Sequence, residues 1–298
     1  MSETLNSQRT DNMSYVVFVL VVLLGGANSV AIRFSNRELE PFWGATLRFG
    51  VAALVFWLIL WLRKLKLPGL RDSAVIAVNG FLSVGVSFAL LYWALLKVPV
   101  SLATIIISIG PLFTFILAVL HRMERFQVQV LIGGAISIFG MAIAVNAQPG
   151  EVDLLPSILA LILGSLVAAE GNVIFKLYSL KGDPAVINAL SFSFGSLFLV
   201  AASFIAGEVW TLPTQSAVWA ALTYLILGGS VAMFYLFVHL LSRWKASSAS
   251  YTILCFPLVA TVLSAWLAKE VITPAFLLGG LIVIFGVWVG AFLNLKKA

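Results

Sequence analysis

The chain carries one stretch twice, and no other feature restricts its fold as much. Ser101, Ala103, Pro111, Glu124, Gly133, Gly134 and Gly140 recur as Ser247, Ala249, Pro257, Glu270, Gly279, Gly280 and Gly286, each 146 positions later. Matches at one spacing, with proline and glutamate among them, identify a duplicated unit, and a repeat has to be settled before any other reading of a fold. The first helices of the two units correspond at 143 instead, Arg33 with Lys176 and Pro41 with Pro184. The difference between the two offsets marks an insertion or deletion between the paired regions.

What the repeated unit is made of follows from its apolarity. The residues are 61% hydrophobic and only 10% charged, with a mean hydropathy of +1.08, whereas globular chains are about 25% charged. Apolar runs of about 20 residues match the hydrocarbon core of a bilayer. Ten can be drawn: Tyr15–Ile32, Phe42–Leu62, Ser73–Leu96, Ser101–Leu120, Phe126–Asn146, Leu155–Phe175, Pro184–Ala206, Ser216–Leu241, Ser247–Ala268 and Pro274–Leu295. Their short connections leave no room for a soluble domain. The stretch before Tyr15 is polar and no cleavable signal is evident, so the first run is expected to stay as a span.

The formal net charge of +6 does not describe a nucleic-acid face, because the basic residues cluster beside span ends. Thirteen of the 18 Lys and Arg fall in one set of alternate loops, four (Arg33, Arg37, Lys97 and Lys269) in the other, and Arg48 inside a span. That bias predicts both termini in the cytoplasm. An odd number of helices per unit then forces the two units into opposite orientations, as in many secondary transporters. The expected organisation is a cytoplasmic tail at 1–14, a five-helix repeat at 15–146, an external linker at 147–154 with a turn at Gln148-Pro149-Gly150, an inverted repeat at 155–295 and a short tail at 296–298.

Ala103, the Pro111-Leu112 pair, Glu124 and the following Gly133 and Gly140 resemble the signature half of the EamA-type unit of the drug/metabolite transporter superfamily. Two copies would cover nearly the whole chain. The resemblance implies an all-α membrane protein of ten transmembrane helices in two inverted five-helix repeats, exporting small metabolites by alternating access. Within the superfamily the chain looks most like the amino-acid exporters of the YddG type, which implies amino acids, aromatic or apolar ones included, as substrates. It also implies an inner-membrane protein with a central cavity walled by the first, third, fourth, sixth, eighth and ninth helices.

Candidate site residues are the polar and special ones inside spans, since polarity in lipid is costly and usually has a reason. Asn79, Ser83 and Ser87 lie at i, i+4 and i+8, one face of the third helix; they either bind a polar head group or join helices. Asn28 and Asn172 pose the same choice. Pro111 and Pro257 sit mid-span at equivalent depths, where proline removes a backbone hydrogen bond, so each is expected to kink its helix beside a midplane site or to shape packing alone. Tyr92, Tyr224 and Tyr251 are phenols that want partners and are candidates to line a pocket. Glu170 is the one acid well inside a span; it is read as a substrate contact and possible proton carrier, or as the static partner of a basic side chain such as Lys245. Arg48, two turns inside the second helix, is read either as a group that attracts a carboxylate or, by preference, as a long stem that snorkels toward the interface. Gly25, Gly26, Gly164 and Gly171 permit close helix approach. The Trp residues fall mostly near span ends, as in an interfacial belt.

No phosphate-cradling glycine loop, nucleophile elbow or metal-ligand cluster is present in the sequence, so neither a catalytic residue, a metal nor a cofactor is assigned. The single cysteine, Cys255, rules out a disulfide framework. The reading is a transporter, not an enzyme, with a small-molecule substrate and the bilayer as partners and a monomer or homodimer as assembly. The alternatives are another solute class, such as a cationic drug or nucleotide sugar, or a membrane scaffold without transport.

Overall fold

The computed structural model describes residues 2–146, 154–178, 182–244 and 246–292, with the side chains at 2–13, 130, 131, 145, 146, 246–248, 250, 251, 254, 291 and 292 outside the description. It is all-helical among those residues: α1 (Ser2–Ser35), α2 (Pro41–Arg63), α3 (Leu70–Ala94), α4 (Val100–Leu120), α5 (Val128–Asn146), α6 (Leu155–Leu177), α7 (Pro184–Ile205), α8 (Ser216–Arg243), α9 (Ala246–Leu263, continued as a π turn over Ser264–Ala268) and α10 (Pro274–Phe292). Seven of these are long and apolar enough to cross a bilayer outright, and the apolar parts of α5, α9 and α10 are shorter, at Ile132–Ala144, Cys255–Ala268 and Pro274–Gly290. The protein is an all-α membrane protein of ten transmembrane helices in two inverted five-helix repeats.

Prolines punctuate the chain where a missing N–H costs nothing. Pro41, the residue after Leu155 and Pro184 each occupy the first helical turn of α2, α6 and α7, where that N–H would have no helical partner anyway. Helix ends also repeat. Left-handed residues follow the second and fourth helices of both units: Lys64 (φ 50°) and Gly207 (φ 69°), then Arg122 (φ 60°) and Lys269 (φ 56°). Three are not glycine, so the corners pay a small conformational cost to stop the helix sharply.

Inversion shows most directly where α5 meets α10. A Cβ on Gly133 would stand 2.3 Å from Gly286 O, and one on Gly140 would stand 2.8 Å from Gly279 O. These are the repeat partners of one another, so the contact is reciprocal, as an antiparallel pair around a two-fold axis must be. The bare glycine backbones touch because lipid gives helix association no hydrophobic gain and close packing has to supply it. Gly279 and Gly286 of α10 are thus used within the chain, against α5, while Gly280 faces Ile105 of α4.

Each repeat lends its first helix to the other. α1 packs against α8 and α9, while α6 packs against α3 and α4. Gly25 and Gly26 make the first crossing possible: a Cβ there would meet the Phe256 ring at 2.2 Å and Val259 Cβ at 2.6 Å. Outward-facing positions such as Leu54, Leu58, Phe139, Leu197, Phe204 and Leu281 are exposed and apolar, as a lipid-facing surface requires.

One end of the bundle is fastened by three carboxylates that cap helix starts across the repeat boundary. Glu270, after α9, accepts from Val100 N at 2.6 Å, Ser101 N at 3.1 Å and Ser101 Oγ at 2.7 Å at the start of α4. Glu208, after α7, accepts from Phe42 N and Trp43 N at 3.0 and 2.7 Å at the start of α2. Glu38, after α1, accepts from Thr214 N at 2.8 Å, Gln215 N at 3.1 Å and the Thr214 hydroxyl at the start of α8. Each satisfies N–H groups that no helix can satisfy for itself, with the favourable sign for a helix N-terminus. The opposite end is tied by other means: Arg63 to Asp183 at 2.9 Å, and Lys176 Nζ to Leu241 O at 2.9 Å.

Candidate substrate cavity

A cavity of about 150 Å³ lies in the middle of the bundle. Its wall comes from six helices: Gly25, Asn28 and Ser29 of α1; Ser83, Ser87, Phe88 and Leu91 of α3; Ile107, Gly110 and Thr114 of α4; Leu161, Gly164, Ser165, Ala168, Ala169 and Asn172 of α6; Met233, Phe234 and Phe237 of α8; Thr252, Ile253 and Phe256 of α9. These are the helices the family resemblance implies. Four phenylalanines give it an aromatic body, and the polar atoms come from amides and hydroxyls. None of these side chains is charged.

The wall owes its shape to irregular helices. α3 carries a π turn over Phe81–Val86, closed by Ser87 N on Leu82 O. α8 carries one over Leu227–Ala232, closed by Met233 N on Gly228 O. The two turns are separated by the repeat offset, although nothing in the composition announces either. π turns shift the helical register and often mark functional sites. Here they re-aim Ser83 and Ser87 on one side, and lead into Met233 and Phe234 on the other.

α4 departs from the expected kink. Its helix stops at Ile107 and restarts at Gly110, leaving Pro111 in the first turn of a new segment. Ser108 helps end the first segment by donating its hydroxyl to Ile105 O at 2.6 Å. Pro257, its counterpart, stays inside a continuous α9. The two prolines were expected to kink equivalent helices alike; instead one helix is broken and the other is not. Both prolines are buried beside wall residues, Gly110 and Phe256.

Among the other candidates, Asn28, Ser83 and Asn172 line the cavity. Asn79 lies one turn from it, donating to Gly171 O at 2.9 Å and Ser83 Oγ at 3.3 Å and accepting from Ser191 Oγ at 3.3 Å. Tyr224 is turned away, its hydroxyl donating to Leu24 O at 2.7 Å. Tyr92 is fully buried beside Arg48 behind the wall. Tyr251 is within α9, but its side chain lies outside the described residues.

Glu170 does not line the cavity either. Its Oε1 meets His121 Nε2 at 2.9 Å, tying the end of α4 to the body of α6. The sequence offered Lys245 as the static partner, a residue outside the described ones; His121, which periodicity gave no reason to single out, takes the contact. Oε2 of Glu170 is buried without a partner. A carboxylate and an imidazole in contact form a pair that can hold or pass a single proton.

Arg48 overturns the snorkelling expectation. It has no exposed surface at all. Its Nε donates to Ser230 Oγ at 2.7 Å and its Nη2 to Gly229 O at 2.9 Å, both in the π turn of α8. Asn28 Nδ2 donates to the same carbonyl at 3.3 Å. The guanidinium carbon lies 4.7 Å from the Phe49 ring centre and 4.9 Å from that of Phe88.

Inverted repeats around a midplane cavity, built with discontinuous and π-turned helices, define a multi-pass membrane transporter. A sequence profile described as the EamA-like transporter family matches residues 12–146 and again 155–291. The chain belongs to that family. It is 24% identical over 277 residues to an uncharacterized transporter of Archaeoglobus fulgidus, covering 92% of this chain and 97% of the relative. It is 26% identical over 286 residues, 92% and 93% of the two chains, to a Salmonella typhimurium protein named "probable amino-acid metabolite efflux pump". The inner membrane transporter YedA of Escherichia coli is 27% identical over 274 residues, 91% and 88%. A solved crystal structure shares the fold with a TM-score of 0.69 at 17% identity, over 93% of this chain and 96% of the other.

Proposed function

We propose that the protein is a secondary exporter of amino acids, aromatic and apolar ones included, and of related small metabolites, working by alternating access through the central cavity. The supporting observation is the wall itself. Phe88, Phe234, Phe237 and Phe256 offer an apolar body, while Asn28, Ser83, Ser87, Asn172 and Thr252 supply neutral hydrogen bonds. Such a wall suits a solute with an apolar side chain and no net charge. A drug cation would bring a full positive charge to a wall that carries no counter-charge. The relatives named as amino-acid metabolite efflux pumps point the same way. A scaffold would have no use for the void.

In this reading the chain sits in a bacterial-type inner membrane with both termini cytoplasmic, and the end closed by Glu38, Glu208 and Glu270 faces outward. The repeats at 15–146 and 155–295 rock about the midplane, and the broken α4 absorbs part of the motion. Phenylalanine or leucine should exchange across proteoliposomes containing the protein; flux equal to that of empty vesicles removes the proposal. Glu170 and His121 form the proposed proton site. Glu170→Gln should flatten the pH dependence of flux, and an unaltered profile clears the pair of that role.

A further inference from the structure

Among the described residues no acid pairs with the buried Arg48 cation; Arg63 pairs with Asp183 and His121 with Glu170, and neither pair reaches it. Two of its nitrogens are used on α8, and Nη1 has no hydrogen-bond partner. A charge held in a low-dielectric interior is costly unless paired and fully hydrogen-bonded. This one is only partly satisfied: the Tyr92 hydroxyl lies against the guanidinium without a well-formed hydrogen bond to it, and Asn28 Oδ1 lacks a partner.

The unmet groups are complementary to one kind of ligand. Nη1 and the Tyr92 hydroxyl are donors suited to a carboxylate, and a guanidinium matches carboxylate geometry better than any other side chain. Asn28 Oδ1 is an acceptor suited to an ammonium group. Asn28 and Phe88 belong to the cavity wall, and the Phe88 ring covers one face of the guanidinium. Phe88 thus touches both the cavity and Arg48, and Asn28, also in the wall, shares the Gly229 carbonyl with Arg48.

We infer that Arg48 is the carboxylate-binding residue of the transport site, screened by the Phe88 ring until a solute enters, so that solutes with a free carboxylate are selected over their decarboxylated amines. The inference rests on the amino-acid reading above and narrows it. On entry the ring turns aside, the carboxylate takes Nη1 and the Tyr92 hydroxyl, and the side chain stays among Phe234, Phe237 and Phe256.

The test compares three ligands on the detergent-purified full chain: phenylalanine, 3-phenylpropionate, which lacks the amine, and phenethylamine, which lacks the carboxylate. Binding to wild type should follow the carboxylate, with phenethylamine at least tenfold weaker than phenylalanine. Arg48→Met, which keeps the length and removes the charge, should erase that ratio while the protein still unfolds cooperatively. If the variant does not fold, Tyr92→Phe carries the test and should narrow the ratio. Equal binding of amine and acid to wild type, or an unchanged ratio in a folded Arg48→Met, overturns the role of Arg48 and leaves the amino-acid reading standing. Absence of binding by all three ligands overturns both.

Discussion

In the first repeat the π turn of α3 is held by neutral groups: Asn79 bonds the α6 carbonyl of Gly171, and Ser191 of α7 bonds Asn79. In the second, the π turn of α8 is held by Arg48 of α2 and Asn28 of α1. Position 191 is the repeat partner of position 48 at the offset of 143. The same backbone device therefore recurs, supported from the same two directions by the lent first helix and the second helix. Its chemistry differs: one support is closed and uncharged, the other carries a cation with a free N–H. Two-fold symmetry of the main chain makes a cavity between halves; asymmetry of the side chains gives that cavity a polar end. A solute with distinct ends needs the second as much as the first.

The largest loss of stability is expected at glycines beside the two π turns. In Gly80→Ala the new Cβ would stand 2.2 Å from Ser191 O and 2.5 Å from Ser191 Cα, so α3 and α7 must separate. Overpacking of that kind costs about 1–3 kcal/mol or more, and Tm in detergent should fall by several degrees. Gly229→Ala meets instead the end of an amide, Asn28 Oδ1 at 1.9 Å, which can rotate away. A smaller fall in Tm is expected there; the reverse order would show that the α3–α7 backbone contact is not the tighter of the two.

The next largest loss concerns hydrogen bonding. Ser230→Ala removes a 2.7 Å bond to the buried Arg48 guanidinium, a charge-assisted contact of about 1.5–3 kcal/mol. Ser191→Ala removes longer neutral bonds at 3.3 and 3.5 Å, of about 0.5–1.5 kcal/mol. Thermal unfolding of the two variants should rank them in that order, and equal losses would mean that the charge on one side has no energetic consequence.

The smallest effect concerns the capped end. The Thr214 hydroxyl, then the Gln215 backbone, hold the Glu38 carboxyl below the ordinary 4.5. A carboxyl depressed in the folded state contributes stability above its unfolded value, and that contribution is lost as pH falls through the lower folded value. Wild type should therefore lose slightly more Tm on acidification below 4.5 than Glu38→Gln. An identical acid response in both would show that the cap carries no such linkage.

Much of the fold was legible because membrane chains obey few rules. Span length, the repeat offsets and the charge bias of the loops required ten helices in opposed halves. Gly25 and Gly26 announced close helix approach, and the structure supplied the partners, Phe256 and Val259 of α9. The polar side chains of Asn28, Ser83 and Asn172 stood out against apolar spans, and they line the cavity. Arg48 stood out equally, yet was assigned to the interface, because sequence gives depth along a helix and not which neighbour faces it. His121 and Glu170 are 49 positions apart, a meeting that no periodicity foretells.

What the sequence determined alone is the architecture: hydrophobic length sets the number of crossings, and duplication with an odd count sets the inversion. What only the tertiary structure decided is where polarity inside that frame is satisfied and where it is not. The π turns, the break before Pro111 and the unmet N–H of Arg48 arise from packing between helices. The identity of one strand of residues cannot specify them, because each depends on which backbone carbonyls and rings of another helix come within reach.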